Sequence, residues 1–400
     1  MKLDMIATLT LAGMVLFLGY GLRRRIPALA RLNIPAPVIG GLLFAIAMLL
    51  ARTQAWPVPE FDTTLQRPLM VAFFATVGFS ASLSLLRTGG PQVAAFLLLA
   101  TAFAIAQNLA GMAIAAAFGL PPLLGVLAGS VTLTGGPATG LAFAPLFEQA
   151  GIAGAGSIAI ASGMAGIVLG GLVGGPIGTW LITRGGLRGQ RNGAGAPGGA
   201  LQARPDEAAG EDGTTGYVEL KTVVIVLAAM WIGVGISALI AASGLTLPEY
   251  IGAMLASAAL RAIDDRWRIP GLSHRALDTL GAVSLSLFLV MALMTLDLRP
   301  LAGLALPLLA ILAVQVLLVA LVCVFVVFRA MGRDYDAAVM SGGFAGFMLG
   351  TTANAMAVMR ALVERAGPAP RAFIVAPLVG AFFIDFTNAL VITAFLNLAR

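Results

Sequence analysis

The sequence predicts an all-α polytopic membrane protein, an inverted repeat of two five-helix halves that each contain a re-entrant hairpin. Three observations support this fold class. Apolar residues make up 59% of the 400 residues and charged residues only 10%, the apolar runs are long enough to cross about 30 Å of hydrocarbon, and a glycine-rich interruption recurs in each half. With a mean hydropathy of +0.97, most of the chain requires lipid as its solvent.

Ten apolar runs are the predicted transmembrane helices. They fall near residues 5–22, 35–51, 68–86, 92–118 and 153–182 in the first half, and near 218–242, 246–261, 277–296, 301–328 and 372–398 in the second. The arginine block 23–25 follows the first run instead of preceding it, so we interpret that run as a retained helix rather than a signal peptide.

Between the fourth and fifth runs of each half lies an extra segment, near 123–147 in the first half and near 337–362 in the second. Glycine, threonine and serine at the centre of each segment divide it into two pieces of half length. Irregular backbone at membrane depth is tolerated only against protein or water, so we predict two re-entrant hairpins.

The basic residues stand in short blocks between apolar runs, although the net charge is +6 and the sequence pI is near 10.2. That pattern is typical of membrane topology and not of phosphate recognition, so no nucleic-acid partner is expected. With both termini outside, in the periplasm, every one of the 24 Lys and Arg residues lies inside except Lys2, Arg52, Arg67, Arg299 and Arg400. The positive-inside rule favours this orientation.

The predicted halves cover residues 1–184 and 218–400, and residues 185–217 are predicted to be a flexible cytoplasmic linker, rich in Gly, Ala and Pro. Because each half has an odd number of spans, the second half enters the membrane from the opposite side, an arrangement typical of secondary transporters. A single cysteine, Cys323, and a single histidine, His274, predict neither an internal disulfide nor a transition-metal site.

The first candidate motif is TLTGGPATG at residues 132–140. Gly135 and Gly136 permit close approach of the backbone, and Pro137 interrupts a continuous helix. The half-helix that resumes there would offer free N–H groups and a positive dipole end to a carboxylate. The motif therefore predicts a substrate-binding segment, with candidate residues Thr134, Gly135, Gly136, Thr139 and Gly140. Alternatively, the glycines only allow helices to pack closely.

The second candidate motif stands at the equivalent place in the second half, SGGFAGFMLGTTAN at residues 341–354. Gly350 is the predicted break, Thr351 and Thr352 are suited to cap the next half-helix, and Asn354 follows closely. Two breaks that enter from opposite faces bring two helix ends together near the midplane. We therefore add Gly350, Thr351, Thr352 and Asn354 to the substrate-binding candidates.

Asp385 is predicted to lie roughly 20 Å into the membrane, counted from Arg371 at about 1.5 Å per residue. A lone carboxylate at that depth is costly unless it is paired, neutralised or bound to a cation. Asn388 shares its helix face and offers an amide oxygen, so both are candidate sodium ligands. Alternatively, Asp385 is protonated within the bundle, or carries a proton as the coupling ion.

Gln107 and Asn108 form a further polar pair, in the middle of the fourth run. They either line the ion site, as further sodium-binding candidates, or hold helices together. Asp334 and Asp336 are interpreted as solvated loop charges at a membrane edge. An intramembrane aspartyl protease would need two facing Asp residues in the bilayer, and only Asp385 lies deep enough. This alternative is therefore remote.

Five segments resemble the bacterial sodium/glutamate symporters of the glutamate:sodium symporter family. They are residues 34–42 (IPAPVIGGL), 69–78 (LMVAFFATVG), 283–294 (VSLSLFLVMALM), 335–339 (YDAAV) and 379–390 (VGAFFIDFTNAL). The resemblance implies sodium-driven uptake of glutamate across the bacterial inner membrane, with Na⁺ as the coupling ion. By fold similarity to sodium/citrate carriers, it also implies a homodimer whose protomers move both hairpins by an elevator motion.

The chain departs from that family pattern at three positions in the hairpins. Pro137 and Phe344 stand where family members typically carry histidine, and Ala138 stands where glycine is common. A sodium- or proton-coupled symporter of another small carboxylate is therefore the alternative function.

Overall fold

The computed structural model describes residues 2–81, 83–187, 212–242, 247–267 and 272–398. Most of the predicted linker, 188–211, lies outside these ranges. The described chain is helical almost throughout, and a short parallel pairing joins Lys2–Leu3 to Glu60–Phe61. The α-helices are α1 (Met5–Arg25), α2 (Pro27–Arg31), α3 (Ala36–Thr53), α4 (Gln66–Phe79), α5 (Leu83–Ala117), α6 (Pro122–Val126), α7 (Gly136–Gln149), α8 (Ala155–Arg184), α9 (Asp212–Ala242), α10 (Glu249–Trp267), α11 (His274–Met294), α12 (Ala305–Val322), α13 (Phe328–Ala330), α14 (Tyr335–Leu349), α15 (Thr352–Ala366), α16 (Ala372–Leu378) and α17 (Ile384–Leu398).

Three π-helical turns, which are wider than an α-helical turn, interrupt otherwise continuous segments. They are Leu127–Val131 after α6, Cys323–Val327 after α12 and Val379–Phe383 between α16 and α17. Turns of this kind occur frequently at functional sites. A 3₁₀ turn, Arg299–Gly303, precedes α12.

Seven helices in the described ranges are long and apolar enough to cross a membrane. They are Met5–Arg25, Ala36–Thr53, Gly90–Ala117, Ala155–Arg184, Gly216–Ala242, His274–Met294 and Ala305–Ala330. The chain is therefore a multi-pass membrane protein. Each of the seven coincides with one of the ten predicted spans.

The other three predicted spans stay predictions, each for a different physical reason. The run near 68–86 is not one helix, because α4 has 14 residues and ends at Phe79, and α5 begins at Leu83. The run near 246–261 becomes α10, whose last turns carry Arg261, Asp264 and Asp265. The run near 372–398 is divided by the π-helical turn between α16 and α17.

The helices pack as two groups. The flanking group contains α1, α3, α4, α9, α10 and α11, and the hairpin group contains α5–α8, α12 and α14–α17 with the π-helical turns. Contacts between the groups include those of α11 with α7, of α10 with α17, and of α4 with the turn Val379–Phe383. Both candidate motifs belong to the hairpin group.

Two helix crossings in the flanking group depend on glycine. A Cβ atom at Gly40 in α3 would overlap the Val15 carbonyl of α1, and one at Gly252 in α10 would overlap the Gly233 carbonyl of α9. Close backbone contact of this kind is typical of helix pairs in lipid, where small residues form the interface. The pair α1 and α3 and the pair α9 and α10 thus both cross at glycines.

Candidate functional site

The first helix break lies between α6 and α7. The helix that begins as α6 widens into the turn Leu127–Val131, where Gly129 leaves the helical region (φ −98°, ψ −126°). The next helix, α7, begins at Gly136, whose φ of +73° favours glycine. Because the first N–H groups of a helix have no partner within it, the start of α7 has donors to offer to a ligand.

The second helix break lies between α14 and α15. Helix α14 ends at Leu349, and Gly350 leaves the helical region (φ −137°, ψ −102°), as the sequence predicts. Thr351 occupies the N-cap position of α15 in an extended conformation, but its side chain makes no capping hydrogen bond. The Thr352 hydroxyl instead donates to the Gly380 carbonyl of the turn Val379–Phe383 (3.1 Å). The prediction that these hydroxyls cap α15 is therefore wrong, because the Thr351 side chain accepts no N–H of that helix and Thr352 bonds to a different segment.

The two breaks lie against each other. A Cβ atom added at Gly136 would stand 3.3 Å from the Thr351 Cγ2 atom and 3.9 Å from the Gly350 carbonyl oxygen. The N-terminal ends of α7 and α15 thus meet at one place in the hairpin group. This is the arrangement that the two sequence motifs predict.

The other glycines of the first motif have a different role. A Cβ atom at Gly135 would stand 2.6 Å from both the Thr139 Cβ and the Val131 carbonyl oxygen, and one at Gly140 would stand 2.9 Å from the Ala159 Cβ. Both positions pack against their own hairpin or α8. Close packing, the alternative interpretation, therefore explains Gly135 and Gly140, while Gly136 faces the second break.

Helix α8 supports both breaks with a row of glycines that the sequence analysis missed. A Cβ atom at Gly163 would stand 3.3 Å from the Pro137 ring, one at Gly170 would stand 3.1 Å from the Gly346 carbonyl oxygen, and one at Gly174 would stand 2.6 Å from the Gly342 carbonyl oxygen. Small residues three or four positions apart are the sequence signal that predicts such an interface.

Gln107 connects the two hairpins. Its Nε2 donates to the Met348 carbonyl at the end of α14 (2.9 Å), and its Oε1 accepts from the Thr134 hydroxyl (2.6 Å). Its own carbonyl accepts from the Gln315 Nε2 of α12 (2.7 Å). Because both ends of the Gln107 amide are occupied, this side chain braces the site. Gln315 was missed, although it is a single amide in a strongly apolar run.

Asn108 and Asn388 hold the first break from two sides. Asn108 Oδ1 accepts from the Ser130 backbone N–H (2.9 Å), and Asn388 Nδ2 donates to the Ser130 carbonyl (3.0 Å). The Ser130 hydroxyl and Asn388 Oδ1 are buried without a hydrogen-bond partner. Since buried polar atoms are normally paired, these two oxygens are available to a ligand. Ser130 was not among the sequence candidates.

Asn354 also has one free oxygen beside the breaks. Its Nδ2 donates to the Ile167 carbonyl of α8 (2.6 Å), while its Oδ1 is buried without a partner. A Cβ atom at Gly350 would overlap this amide. Gly350 is therefore required both for the break and for the approach of Asn354.

Asp385 lies in the first turn of α17, partly buried. Within the described ranges its carboxylate has no hydrogen bond or ion pair. It therefore does not join the bonded network of Gln107, Asn108 and Asn388. Its neighbours along the helix, Phe382 and Phe386, stack on each other with ring centroids 5.8 Å apart. A lone carboxylate in such apolar surroundings needs a cation or a proton.

Asp334 and Asp336 close the base of the second hairpin. Asp334 caps α14 through the Ala337 N–H (2.8 Å) and pairs with the Arg371 guanidinium (2.5 Å). Asp336 accepts from the backbone N–H groups of Arg371 (3.0 Å) and Ala372 (3.2 Å). The interpretation of these residues as merely solvated loop charges is therefore wrong.

Known proteins are similar to this chain along almost its whole length. The sequence model of the sodium/glutamate symporter family matches residues 1–368. The chain is 42% identical over 406 aligned residues to the sodium/glutamate symporter of Escherichia coli (strain K12), covering 99% of this chain and 98% of the relative. The chain belongs to the sodium/glutamate symporter family.

A second member of the family, the sodium/glutamate symporter of Haemophilus influenzae, is 39% identical over 386 residues and covers 96% of this chain. The family consists of transporters and not enzymes, so the protease alternative is excluded. A solved sodium proton antiporter from Methanocaldococcus jannaschii is similar with a TM-score of 0.45 and 14% identity, over 99% of this chain.

Proposed function

We propose that the protein is a symporter that uses a sodium gradient to take up glutamate across the bacterial inner membrane. The observation that carries the proposal is the meeting of two helix N-termini at Gly136 and Thr351. Free N–H groups and the positive ends of two helix dipoles suit a ligand that carries carboxylates. Relatives that span nearly the whole chain are named sodium/glutamate symporters, which supports glutamate as that ligand.

We propose that the substrate binds at the two helix breaks. Gly136 and Gly350 allow close approach of the backbone, and Thr139, Thr351 and Thr352 stand in the first turns of α7 and α15 or beside them. Asn354 offers its unpartnered Oδ1. In this assignment Thr134, Gly135 and Gly140 shape the break rather than contact the substrate.

We propose that sodium is bound by oxygen atoms around the first helix break and on α17. Sodium is a hard cation and prefers oxygen ligands, which the Asp385 carboxylate, Asn388 Oδ1 and the Ser130 hydroxyl supply. Gln107 and Asn108 act one step away, because their hydrogen bonds fix the backbone of both hairpins. The negative charge of the Asp385 carboxylate offsets the positive charge of the cation.

The arrangement of the helices supports an inverted repeat and an elevator mechanism. Each half contributes three helices to the flanking group, and then a helix, a broken pair and a further helix to the hairpin group. The matching glycine crossings at Gly40 and Gly252 add to this correspondence. We propose that the hairpin group carries the substrate past the flanking group, in a homodimer of the kind that the family resemblance implies.

A second candidate is a symporter that carries another small carboxylate or couples to protons. Two hairpin positions favour this candidate, because family members typically carry histidine there and this chain does not. Phe344 is buried between Phe96 and Phe103, with ring centroids 5.4 and 5.7 Å away, and Pro137 packs on Gly163. Both positions serve packing in this chain, so the site lacks two polar side chains.

Uptake into liposomes tests the proposed function. Purified protein should accumulate labelled glutamate when sodium is high outside, and unlabelled glutamate should compete better than other amino acids or dicarboxylates. Full uptake driven by a proton gradient without sodium would transfer the assignment to the second candidate. No uptake of any tested carboxylate would contradict both.

The orientation can be tested separately with cysteines. The native Cys323 is fully buried, so its background reaction with a membrane-impermeant thiol reagent should be low. A cysteine placed within residues 193–213 should react only from the cytoplasmic side, and one added after Arg400 only from outside. The reverse result would invert the proposed topology, with both termini in the cytoplasm.

A further inference from the structure

Four arginines mark the end of α1 and the short helix α2 that follows it. Residues 23–25, all arginine, form the last turn of α1, and Arg31 ends α2. Within the described ranges none of the four forms an ion pair with a carboxylate. The sequence has no acidic residue between Asp4 and Glu60, so nothing in this part of the chain offsets their charge.

The outer side of α1 ends in two of these arginines. Helix α1 contacts α3 and α11, and on its outer side Phe17, Leu18 and Tyr20 are 75%, 53% and 48% exposed. Arg24 stands four positions after Tyr20 and Arg25 stands seven after Leu18, so both continue this side of the helix. Both arginines are exposed. Because α1 is long and apolar enough to cross a membrane, its last turn reaches the level of the lipid headgroups.

Helix α2 and the residue before it are not buried in the protein's own core. Helix α2 has five residues, and none of them is buried. So short a helix is unstable by itself, and the Ile26 side chain that precedes it is 43% exposed. An exposed apolar side chain beside a cationic one, here Ile26 and Arg31, is typical of a segment that lies in the membrane interface.

The backbone that presents the arginines is fixed on both sides. A Cβ atom at Gly19 of α1 would overlap the Ala36 carbonyl oxygen of α3, so the two helices touch one turn before the arginine block. A hydrogen bond from the Ile34 N–H to the Leu29 carbonyl oxygen (3.2 Å) closes the connection between them. A ligand that binds here therefore orders side chains and not the backbone, which lowers the entropic cost of binding.

We propose that this surface, formed by residues 23–31, binds the phosphate groups of anionic phospholipids. A guanidinium binds phosphate through two parallel N–H···O bonds, and clusters of arginines next to a membrane span attract anionic lipids. The exposed Phe17 and Leu18 side chains then contact the acyl chains of the same lipids. Because α1 belongs to the flanking group, the bound lipids hold that group at the membrane surface. This inference is independent of the transported substrate.

Charge and apolar surface together favour a lipid over two other occupants. A second copy of the chain on a two-fold axis would bring the same four cations to the contact, and like charges repel each other. A free phosphate ion would pair with the arginines, but it has no apolar part to contact Ile26 or Leu18. A phospholipid supplies both the anion and the apolar chains.

The test compares phosphatidylglycerol with phosphatidylcholine of the same acyl chains, added to the full chain purified in detergent. Mass spectrometry of the intact protein counts the lipid molecules that stay bound, and wild type should retain phosphatidylglycerol in preference. The double variant Arg24→Gln with Arg25→Gln should bind it about tenfold more weakly, because each arginine adds to the attraction. Its retention of phosphatidylcholine should not change. Both side chains are exposed, so its melting temperature without added lipid should equal that of wild type.

Arg360→Gln with Arg365→Gln is the matched control, since it removes the same charge from exposed positions of α15, and it should keep the preference for phosphatidylglycerol. The proposal is overturned if wild type shows no preference, if the double variant of Arg24 and Arg25 keeps it, or if the control loses it equally. Displacement of the lipid by inorganic phosphate would instead identify a site for a free anion. A changed oligomeric state with unchanged lipid retention would identify an interface between copies. Either of these results also overturns the proposal.

Discussion

The backbone of Gly136 lies against the side chain of Thr351, so the two interrupted helices meet at these residues. The two positions belong to different hairpins, which other contacts hold in register. Gln107 bonds to both hairpins from α5, and the glycines of α8 pack against both. The meeting point of the two helices is therefore supported by both α5 and α8.

Replacing Gly136 by alanine should abolish glutamate uptake and leave the protein in the membrane. The φ of +73° is a left-handed conformation that costs an alanine about 1 kcal/mol or more, and the new Cβ would stand 3.3 Å from Thr351. We expect at least a tenfold loss of binding, measured with labelled glutamate on purified protein. Gly171→Ala, where a Cβ would have nothing within 4 Å, is the control. Normal binding by Gly136→Ala would remove this position from the substrate site.

Replacing Gln107 by methionine should destabilise the hairpin group. The change leaves the Thr134 hydroxyl and the Met348 carbonyl without their partner, and a buried group left unsatisfied costs about 1–3 kcal/mol. The melting temperature in detergent should fall, together with the maximal uptake rate. Gln54→Met, at an exposed position after α3, should have neither effect. A stable variant whose sodium requirement alone has changed would make Gln107 a direct ligand instead of a brace.

The sequence predicted the positions of the two helix breaks, but it did not predict which polar side chains bond to them. Gly350 leaves the helical region at the second break and Pro137 stands in the first turn of the helix after the first break, so both breaks were visible in the sequence. Which polar side chain bonds to which break depends on helix rotation and depth, and these are set by packing between distant segments. Ser130 was therefore missed, since a lone serine in an apolar run carries no local signal.

The ends of the helices differ from the ends of the apolar runs for a related reason. An apolar run in the sequence shows which residues tolerate lipid. It does not show where the backbone stays helical. Helix α4 ends at Phe79, although apolar residues continue beyond it. In the same way, a π-helical turn divides the run near 372–398, because the Gly380 carbonyl is used by Thr352 in another helix.

Glycines of α8 that pack against α14 should not tolerate substitution, whereas glycines on the other side of α8 should. Gly174 and Gly175 are adjacent, but a Cβ at Gly174 would stand 2.6 Å from the Gly342 carbonyl oxygen, whereas one at Gly175 would have nothing within 4 Å. Gly174→Ala should lower the melting temperature and the uptake rate, since a backbone carbonyl cannot move aside easily. Gly175→Ala should leave both unchanged. Equal behaviour of the two variants would contradict the packing of α8 on α14.

Asp297, in the connection between α11 and α12, should stabilise the protein at neutral pH. Hydrogen bonds from the Arg299 side chain hold the pKa of its carboxyl at about 2, below the ordinary 3.8. Because the folded-state pKa is lowered, the stabilisation is present above about pH 4 and is lost as the pH falls towards 2. The carboxylate side chain is 35% exposed, so we expect a contribution below about 1 kcal/mol.

Melting temperatures of Asp297→Asn and wild type, measured from pH 3 to pH 8, test this point. The difference should be constant between pH 5 and pH 8 and should shrink below pH 4. Adding Arg299→Gln to Asp297→Asn should have little further effect, since the pair is already broken. A difference that grows as the pH falls would mean that Asp297 stabilises the fold through its protonated form.

Asp385→Asn should weaken the response to sodium more than the binding of glutamate. Asparagine keeps the shape of the side chain and an oxygen ligand but removes the charge that offsets the cation, and loss of about 1.4 kcal/mol shifts an affinity tenfold. The half-saturating sodium concentration should therefore rise tenfold or more, while glutamate binding at saturating sodium changes little. Thr393→Val, at a buried position further along α17, controls for disturbance of that helix. Sodium and glutamate titrations of the purified variants give both constants. If Asp385→Asn keeps the normal sodium requirement but loses its response to pH, the carboxylate carries a proton, and sodium is bound without it by Asn388 and Ser130.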